Sequence, residues 1–158
     1  MSEESSVRIR SMMAADLDRV VEIAAALDDA PQWPRRVYES VLASSSPRRI
    51  ALIAEDLGTE VAVGFVVASL IAPEAELETI VVAAGFQRRG VARRLFEAMA
   101  DDLGRSQVRE VLLEVRRSNV AAQGFYRSVG FVEEGRRPGY YADPIEDAVL
   151  MRLRLNLN

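Results

Sequence analysis

The sequence predicts an α/β (α+β) domain: a mixed sheet of about seven strands flanked by about four helices. Three observations lead there. Strand-like alternation and helix-like periodicity follow each other along the chain, which indicates mixed layers. The segments run in the order strand, two helices, three strands, helix, strand, helix and two closing strands. The chain has 158 residues, 49% of them hydrophobic, which suits a single domain over 1–158 with its own core.

VRIRSM (Val7 to Met12) alternates and reads as a strand. Ala14 to Leu27 has apolar residues at helical spacing, with Asp16 and Asp18 early, where the helix dipole favours anions. A second helix follows Trp33, with Pro34 at its first helical position, in the segment ending at 44. RRIALIAED and the apolar run up to Ala72 form a hairpin turning at Leu57–Gly58, and Ala75 to Ala83 is a further strand. Val91 to Leu103 is an amphipathic helix: Val91, Ala92, Leu95, Phe96, Met99 and Leu103 share one face, and Gly104 is its stop. EVLLEV (Glu110 to Val115) reads as an internal strand covered on both faces. Asn119 to Val129 is a short helix, capped by Asn119 or Ser118 and ended by Gly130. FVEEGRR and EDAVLMRLRL close the sheet.

Composition excludes several chemistries. There is no Cys, so thiolate nucleophiles, disulfides and cysteine zinc sites are excluded. There is no His, so a Ser–His–Asp triad and an imidazole metal site are excluded, and no metal is expected. All 20 basic residues are Arg, which removes Schiff-base chemistry and the P-loop lysine. Carboxylates, tyrosine and Ser/Thr hydroxyls and backbone groups are what is left. A net charge of −4 argues against nucleic acid as a partner and agrees with a substrate that carries an amine. No apolar run reaches the ~20 residues of a membrane span, and MSEESS lacks the apolar core of a signal peptide, so a cytoplasmic protein without a membrane partner is expected.

The passage VVAAGFQRRGVARRLFEAMA turns a strand into a helix through arginines and a glycine. A helix starting near Gly90 opens with four backbone N–H groups that lack intrahelical partners. With the helix dipole they form a place for phosphate. Gly90 allows close backbone approach. Arg88, Arg89 and Arg93 are suited to charge-assisted bonds to it. The plain alternative is a βα loop with solvated arginines.

QRRGVA matches the Q/R-x-x-G-x-G/A signature of the GCN5-related N-acetyltransferases, the GNAT superfamily, with Ala92 in place of the commoner second glycine. LLEVRRSNVAAQGFYRSVGF and GYYADPIEDAVLM resemble the corresponding segments of its RimI-type ribosomal-protein alanine N-acetyltransferases, so the likeness runs from about Ala75 to Met151. The resemblance implies the GNAT fold, with a mostly antiparallel sheet and a central splay where the strand ending at Val82 leaves the one containing Glu114. It implies acetyl-CoA in that splay. Ile80, Val81 and Val82 would offer backbone groups to the pantetheine arm while their side chains pack inward. Arg88, Arg89, Gly90, Val91, Ala92 and Arg93 would wrap the pyrophosphate. Asn119 matches a cofactor contact, and also suits a helix cap.

By the same resemblance Glu114 is the proton acceptor, and its place in an apolar strand agrees, since a buried carboxylate needs a partner or a raised pKa. The alternative is an ion pair with Arg116 or Arg117. Glu78, on the strand face shared by Glu76 and Ile80 under plain alternation, is a rival base or a substrate contact. Tyr126 matches the proton donor to the leaving thiolate; spacing alone also fits a core aromatic. Gly124, in mid-helix, suits either cofactor approach or tight packing. Trp33, Tyr140 and Tyr141 correspond to segments flanking the acceptor. The expected reaction is direct transfer of acetyl to the N-terminal α-amine of a protein, a small-subunit ribosomal protein in the RimI-type case, by a monomer or homodimer. A small amine (polyamine or antibiotic) as acceptor, and a non-catalytic acyl-CoA-binding module, are the rival readings.

Overall fold

In a computed structural model describing residues 6–43 and 48–155, the chain runs β1 (Val7–Ser11), α1 (Leu17–Ala25), α2 (Arg35–Leu42), β2 (Arg48–Asp56), β3 (Ala62–Ile71), β4 (Glu74–Val82), α3 (Val91–Arg105), β5 (Glu110–Arg116), α4 (Val120–Ser128), β6 (Val132–Tyr141) and β7 (Glu146–Arg154). The polar N-terminal stretch at 1–5 and the end of the second helical segment at 44 lie outside the described residues. The strands form one sheet in the order β1-β2-β3-β4-β5-β7-β6. Only the β4–β5 pair is parallel.

Helix periodicity decides which side of the sheet each helix covers. Val91, Leu95, Phe96, Met99 and Leu103 form the buried stripe of α3 and join Leu52, Ala54, Val66, Leu77 and Val111 in one core. Leu95, Met99 and Leu103 are fully buried, each contributing about 1.5–3 kcal/mol by leaving water. On the opposite face α1 and α2 pack over β2, β3 and β4, where Leu17, Val20, Ile23 and Tyr38 meet Ile53, Phe65, Val67 and Val81.

Beyond β4 that second face is open. Val111, Leu113 and Val115 are buried on the α3 side, whereas Glu110, Leu112, Glu114 and Arg116 keep partial exposure. The strand therefore alternates. The sequence expectation of a strand covered on both faces is corrected here: α1 and α2 stop at β4.

A second correction concerns β4. Its register with β3 jumps from Val67↔Thr79 to Ala68↔Leu77, leaving Glu78 as an extra, unpaired residue. This β-bulge resets the alternation. Leu77 lies in the α3 core, while Val81, an even number of residues away, lies under α1 and α2. Glu76, opposite to Leu77, faces the α1 side, whereas Ile80 packs toward α3, so Glu76 and Ile80 do not share a face. Immediately before the bulge β4 stops pairing with β5: the two join only at Glu74↔Glu110, Ala75↔Val111 and Glu76↔Leu112. This is the central splay.

Several boundaries shift by a turn or less. Ala14–Asp16 form a 3₁₀ turn ahead of α1, and Pro34 is the N-cap of α2 rather than its first residue. α3 continues past Gly104, and Gln107 takes the left-handed conformation beyond its end (φ 67). Asn119 caps α4, its Oδ1 accepting the Ala122 N–H at 3.1 Å, and Gly130 (φ 111) ends it, as the sequence predicts. β6 reaches Tyr141, four residues beyond the expected Arg137, so both tyrosines sit on a strand rather than in a loop.

The first turn of the fold is held by charge. Arg10 on β1 donates to both oxygens of Asp16 at 2.8 Å and to Glu55 of β2 at 3.0 Å, and the Met13 N–H adds a bond to Asp16 at 2.8 Å. The Arg10 bond, opposed by burial, holds the Asp16 carboxyl below its ordinary pKa. A depressed carboxylate stabilises the fold above its unfolded pKa of about 4, and that contribution is lost as pH falls through the folded value. Asp16→Asn is expected to lower stability at pH 7 and to flatten the loss of stability below about pH 4, as read by urea unfolding across pH. Two glycines give opposite expectations. A Cβ on Gly64 would stand 2.9 Å from the Val81 carbonyl oxygen, so Gly64→Ala is expected to cost about 1–3 kcal/mol. A Cβ on Gly124 meets nothing within 4 Å, so Gly124→Ala is expected to add about 1 kcal/mol in the same measurement.

Candidate active site

Gly90 is the N-cap of α3 with φ 77, and it brings no side-chain cap. The N–H groups of Val91, Ala92 and Arg93 open the helix without intrahelical partners. Arg88, also left-handed at φ 63, coils the loop tightly ahead of them. Gln87 Nε2 donates to the Val82 carbonyl at 3.0 Å, which fastens this loop to the end of β4. The arginines divide. Arg89 stacks on Phe86, with its guanidinium carbon 5.2 Å from the ring centre. Arg93 reaches the carbonyl and hydroxyl of Ser128 on α4 at 3.5 and 3.4 Å. Arg94 is bonded to the Val7 carbonyl. Arg88 is exposed beside the helix end. An uncapped helix start with a left-handed glycine is a fit for a diphosphate, and acetyl-CoA carries one.

The edge of β4 leads from that loop into the splay. The Ala83 N–H donates to Val63 O at 2.8 Å, which sets the phase of the β3–β4 ladder. Phe65 and Val81 then exchange both their bonds, and the peptide groups of Ile80 and Val82 turn to the other edge. That edge faces the gap. Of the three residues expected to offer backbone groups there, Ile80 and Val82 do so, and Val81 is committed to Phe65. Since Gln87 occupies the Val82 carbonyl, the Val82 N–H is the donor left at the mouth of the gap.

Glu114 projects from β5 on the open face, with 23% of its side chain exposed. Its cross-strand neighbour is Leu150. Arg137 of β6 approaches to 3.6 Å. Interaction with the same carboxylate raises the Tyr140 phenol above its ordinary pKa. Arg116 does not pair with Glu114; it pairs with Glu146 at 3.0 Å. Glu78 is held by Arg49 of β2 at 2.9 Å, both side chains 19% exposed, so its carboxylate is occupied in pinning the bulge. Glu76 stands on the same face. Burial, then Glu78 and Glu114, raise its carboxyl, against the opposing Arg137.

Tyr126 lies on the α3 side of the sheet, with Phe131 at 5.7 Å and Phe125 at 5.7 Å between ring centres. Burial, then Tyr141, pushes its phenol up to about 12. Tyr141, whose ring lies 4.4 Å from the Arg116 guanidinium carbon, feels Glu114 in turn. Glu114 and Tyr126 thus sit on opposite faces of the sheet. Trp33 is half-buried against Tyr38 (5.3 Å) at the α1–α2 connection, on the open face. Gln123, unnoticed in the sequence, is buried and donates to the carbonyls of Arg116 (3.1 Å) and Arg117 (2.9 Å), tying β5 to α4. Glu76, Arg137 and the Arg116–Glu146 pair were also not legible as site residues. No spacing rule connects residues that meet only through strand register.

The sequence profile of the acetyltransferase (GNAT) family matches residues 17–131, more than half of the chain. The chain belongs to this family. The GNAT chain is 37% identical over 157 residues to the N-alpha-acetyltransferase RimI of Mycobacterium tuberculosis, spanning 96% of this chain and 94% of that protein. It is 39% identical over 95 residues to the [Ribosomal protein bS18]-alanine N-acetyltransferase of Escherichia coli (strain K12), a match spanning 59% of this chain and 64% of that relative's length. Among solved structures, the ribosomal-protein-S18-alanine N-acetyltransferase from Escherichia coli superposes with a TM-score of 0.83 at 30% identity, over 96% of both chains. The family and fold expected from QRRGVA are borne out. More distant members share the fold alone, among them a spermidine N-acetyltransferase chimera at 21% identity and TM-score 0.80.

Each of the four tyrosines, Tyr38, Tyr126, Tyr140 and Tyr141, has its phenol pKa raised, Tyr38 and Tyr126 to about 12. Spectrophotometric titration of the native protein is expected to place every phenol midpoint above the ordinary value of about 10. A phenol with its midpoint at or below that value would contradict the environments described for these residues.

Proposed function

We propose that this GNAT chain is an acetyl-CoA-dependent N-acetyltransferase acting on the N-terminal α-amine of a protein, with an N-terminal alanine of a small-subunit ribosomal protein as its acceptor. The observation that carries the reading is the splay itself. It joins the uncapped start of α3 to a gap flanked by Glu114 on one face and Tyr126 on the other. The acceptor class rests on similarity to relatives named for the alanine of bS18. Such an acceptor places the enzyme in the cytoplasm, and no helix among the described residues is long and apolar enough to cross a membrane.

In this reading the diphosphate of acetyl-CoA lies on the N–H groups from Gly90 to Arg93, with Arg88 beside it. The pantetheine arm pairs with the free edge of β4 at Ile80. Asn119 stays a helix cap and shapes the cofactor wall through α4. The acceptor enters across the open face, between Trp33 and the β6–β7 tip with Tyr140 and Tyr141. An α-ammonium has a pKa of about 8 and must lose a proton before it attacks. Glu114 takes that proton, directly or through one water. The amine nitrogen then bonds to the thioester carbonyl carbon, and the Val82 N–H donates to the oxyanion. As the C–S bond breaks, Tyr126 protonates the departing thiolate. Its raised pKa keeps the phenol protonated throughout the working range. The absence of Cys accords with direct transfer rather than a thioester on the enzyme.

The test is acetyl transfer from labelled acetyl-CoA to peptides beginning with alanine, alongside spermidine and an aminocyclitol antibiotic. Turnover is expected on the peptides, and none on any N-terminal peptide overturns the proposal. Glu114→Gln is expected to lower kcat by about 10²–10⁴-fold, and Tyr126→Phe by about 10²-fold or more, with acetyl-CoA affinity unchanged by calorimetry. Glu78→Gln is expected to keep kcat within about threefold, because the Glu78 carboxylate is taken up by Arg49 and a glutamine keeps an oxygen to accept that bond. The reverse ranking would move the base to β4.

A further inference from the structure

Arg116 closes β5 two residues after Glu114, on the same face. Its guanidinium donates to Glu146 Oε1 at 3.0 Å and to the carbonyls of Ala142 at 3.1 Å and Pro144 at 3.4 Å. Its planar face covers the Tyr141 ring at 4.4 Å. The other oxygen of Glu146 accepts the Ser118 N–H at 2.6 Å, one residue before the cap of α4. Two further bonds run alongside: the Arg117 N–H to the Asp147 carbonyl at 3.1 Å, and the Gly139 N–H to Asp147 Oδ1 at 3.0 Å. One ion pair therefore joins three pieces of chain. They are the end of β5 carrying Glu114, the turn into α4 carrying Tyr126, and the β6–β7 tip carrying Tyr140 and Tyr141.

The chemistry of the partners suits that task. An arginine supplies several donors in a rigid plane and a flat face for an aromatic ring, and a lysine supplies neither. Glu146 is held well below the usual carboxylate range by its bonds to Ser118 and Arg116, so it stays charged wherever the protein is folded at neutral pH. The clamp also lies beside both groups along the chain: Arg116 is two residues from Glu114 on the same face of β5, and Ser118 directly precedes Asn119, the cap of the helix that carries Tyr126.

We propose that Arg116 and Glu146 are positioning residues: by clamping the β6–β7 tip onto the β5–α4 turn they fix the relative placement of Glu114, Tyr141 and the helix that carries Tyr126. The proposal rests on the acetyl-transfer reading for its catalytic consequence, but not for its structural one. Among the described residues the bonds of both run to β5, the α4 turn and the β6–β7 tip rather than to the α3 loop, so the clamp bears chiefly on transfer rather than on coenzyme affinity.

The test uses the full chain carrying Arg116→Met, Arg116→Lys or Glu146→Gln. Arg8→Met serves as a control, since Arg8 is an ion-paired arginine, with Glu55 at 2.7 Å, on β1 at the opposite edge of the sheet from Tyr141. Acetyl-CoA affinity is expected to stay within about twofold of the parent, while kcat on a fixed peptide falls about 10²-fold, the scale of an ångström-sized misplacement. Arg116→Lys is expected not to restore it, and Arg8→Met to leave kcat within about twofold. Amide hydrogen exchange at Arg117, Ser118 and Gly139, whose N–H groups are bonded within the clamp, is expected to quicken in the Arg116 and Glu146 variants and not in Arg8→Met. Folded Arg116 and Glu146 variants with parental kcat overturn the clamp, as does an equal loss in Arg8→Met. If the parent chain turns over no amine, the acetyl-transfer reading has failed separately. The exchange measurement then decides the clamp alone: unchanged protection at Ser118 and Gly139 in Arg116→Met overturns it.

Discussion

β4 and β5 are hydrogen-bonded over Glu74–Glu76 and then part, and the site is arranged around that parting. Two parallel strands in mid-sheet would ordinarily pair to their ends, because an unpaired peptide group away from water costs free energy comparable to a lost hydrogen bond. The bulge at Glu78 prevents it. An inserted residue bends its strand and strengthens the twist, and here it comes two residues after the last β4–β5 pair. Arg49 reaches from β2 to hold Glu78 in place. The edge of β4 is thus left with peptide groups aimed into a gap, and a ligand with amides of its own is the natural complement. The pantetheine arm of acetyl-CoA is such a ligand in the proposed reaction.

Opening the sheet also changes what its two faces have in common. In a continuous sheet, Glu114 on one face and Tyr126 on the other would be separated by a layer of backbone. In the proposed reaction they flank the same space across the splay. Their surroundings differ. Glu114 keeps contact with water, Tyr140 and Arg137, whereas Tyr126 is packed among Phe125 and Phe131 and holds its proton more tightly. The contrast follows from the unequal cover: α1 and α2 stop at β4, so the face carrying Glu114 stays open, while α3 and α4 pack on the side carrying Tyr126.

The arginine-only composition shapes the same region. Arg49, Arg116, Arg137 and Arg152 each hold a carboxylate on or beside the open face. A guanidinium stays charged at any pH the fold survives, so these pairs are not switched by ordinary changes in pH. Several of the same arginines also lie over rings, Arg116 on Tyr141 and Arg137 on Tyr140. Charge and aromatic packing are therefore coupled at the β6–β7 tip.

Local sequence by itself determined the elements and the cradle. The apolar stripe from Val91 to Leu103, the caps at Asn119 and Gly130 and the turn at Gly90 are short-range features, governed by helical spacing and by which residues tolerate a left-handed backbone, and the structure follows them. Glu114 and Tyr126 were singled out because LLEVRRSN and GFYRSVGF mark their segments within a family pattern. Tertiary structure decided the rest. The bulge at Glu78 depends on how β3 and β4 register over a packed core, and no residue in ETIVV announces it. The half-open face of β5 depends on where two distant helices end. The commitment of Glu78 to Arg49 and of Arg116 to Glu146 joins residues about thirty positions apart. Helical and strand periods speak only of a residue's near neighbours; which partner each carboxylate takes is settled by the fold, which alone brings those partners within reach.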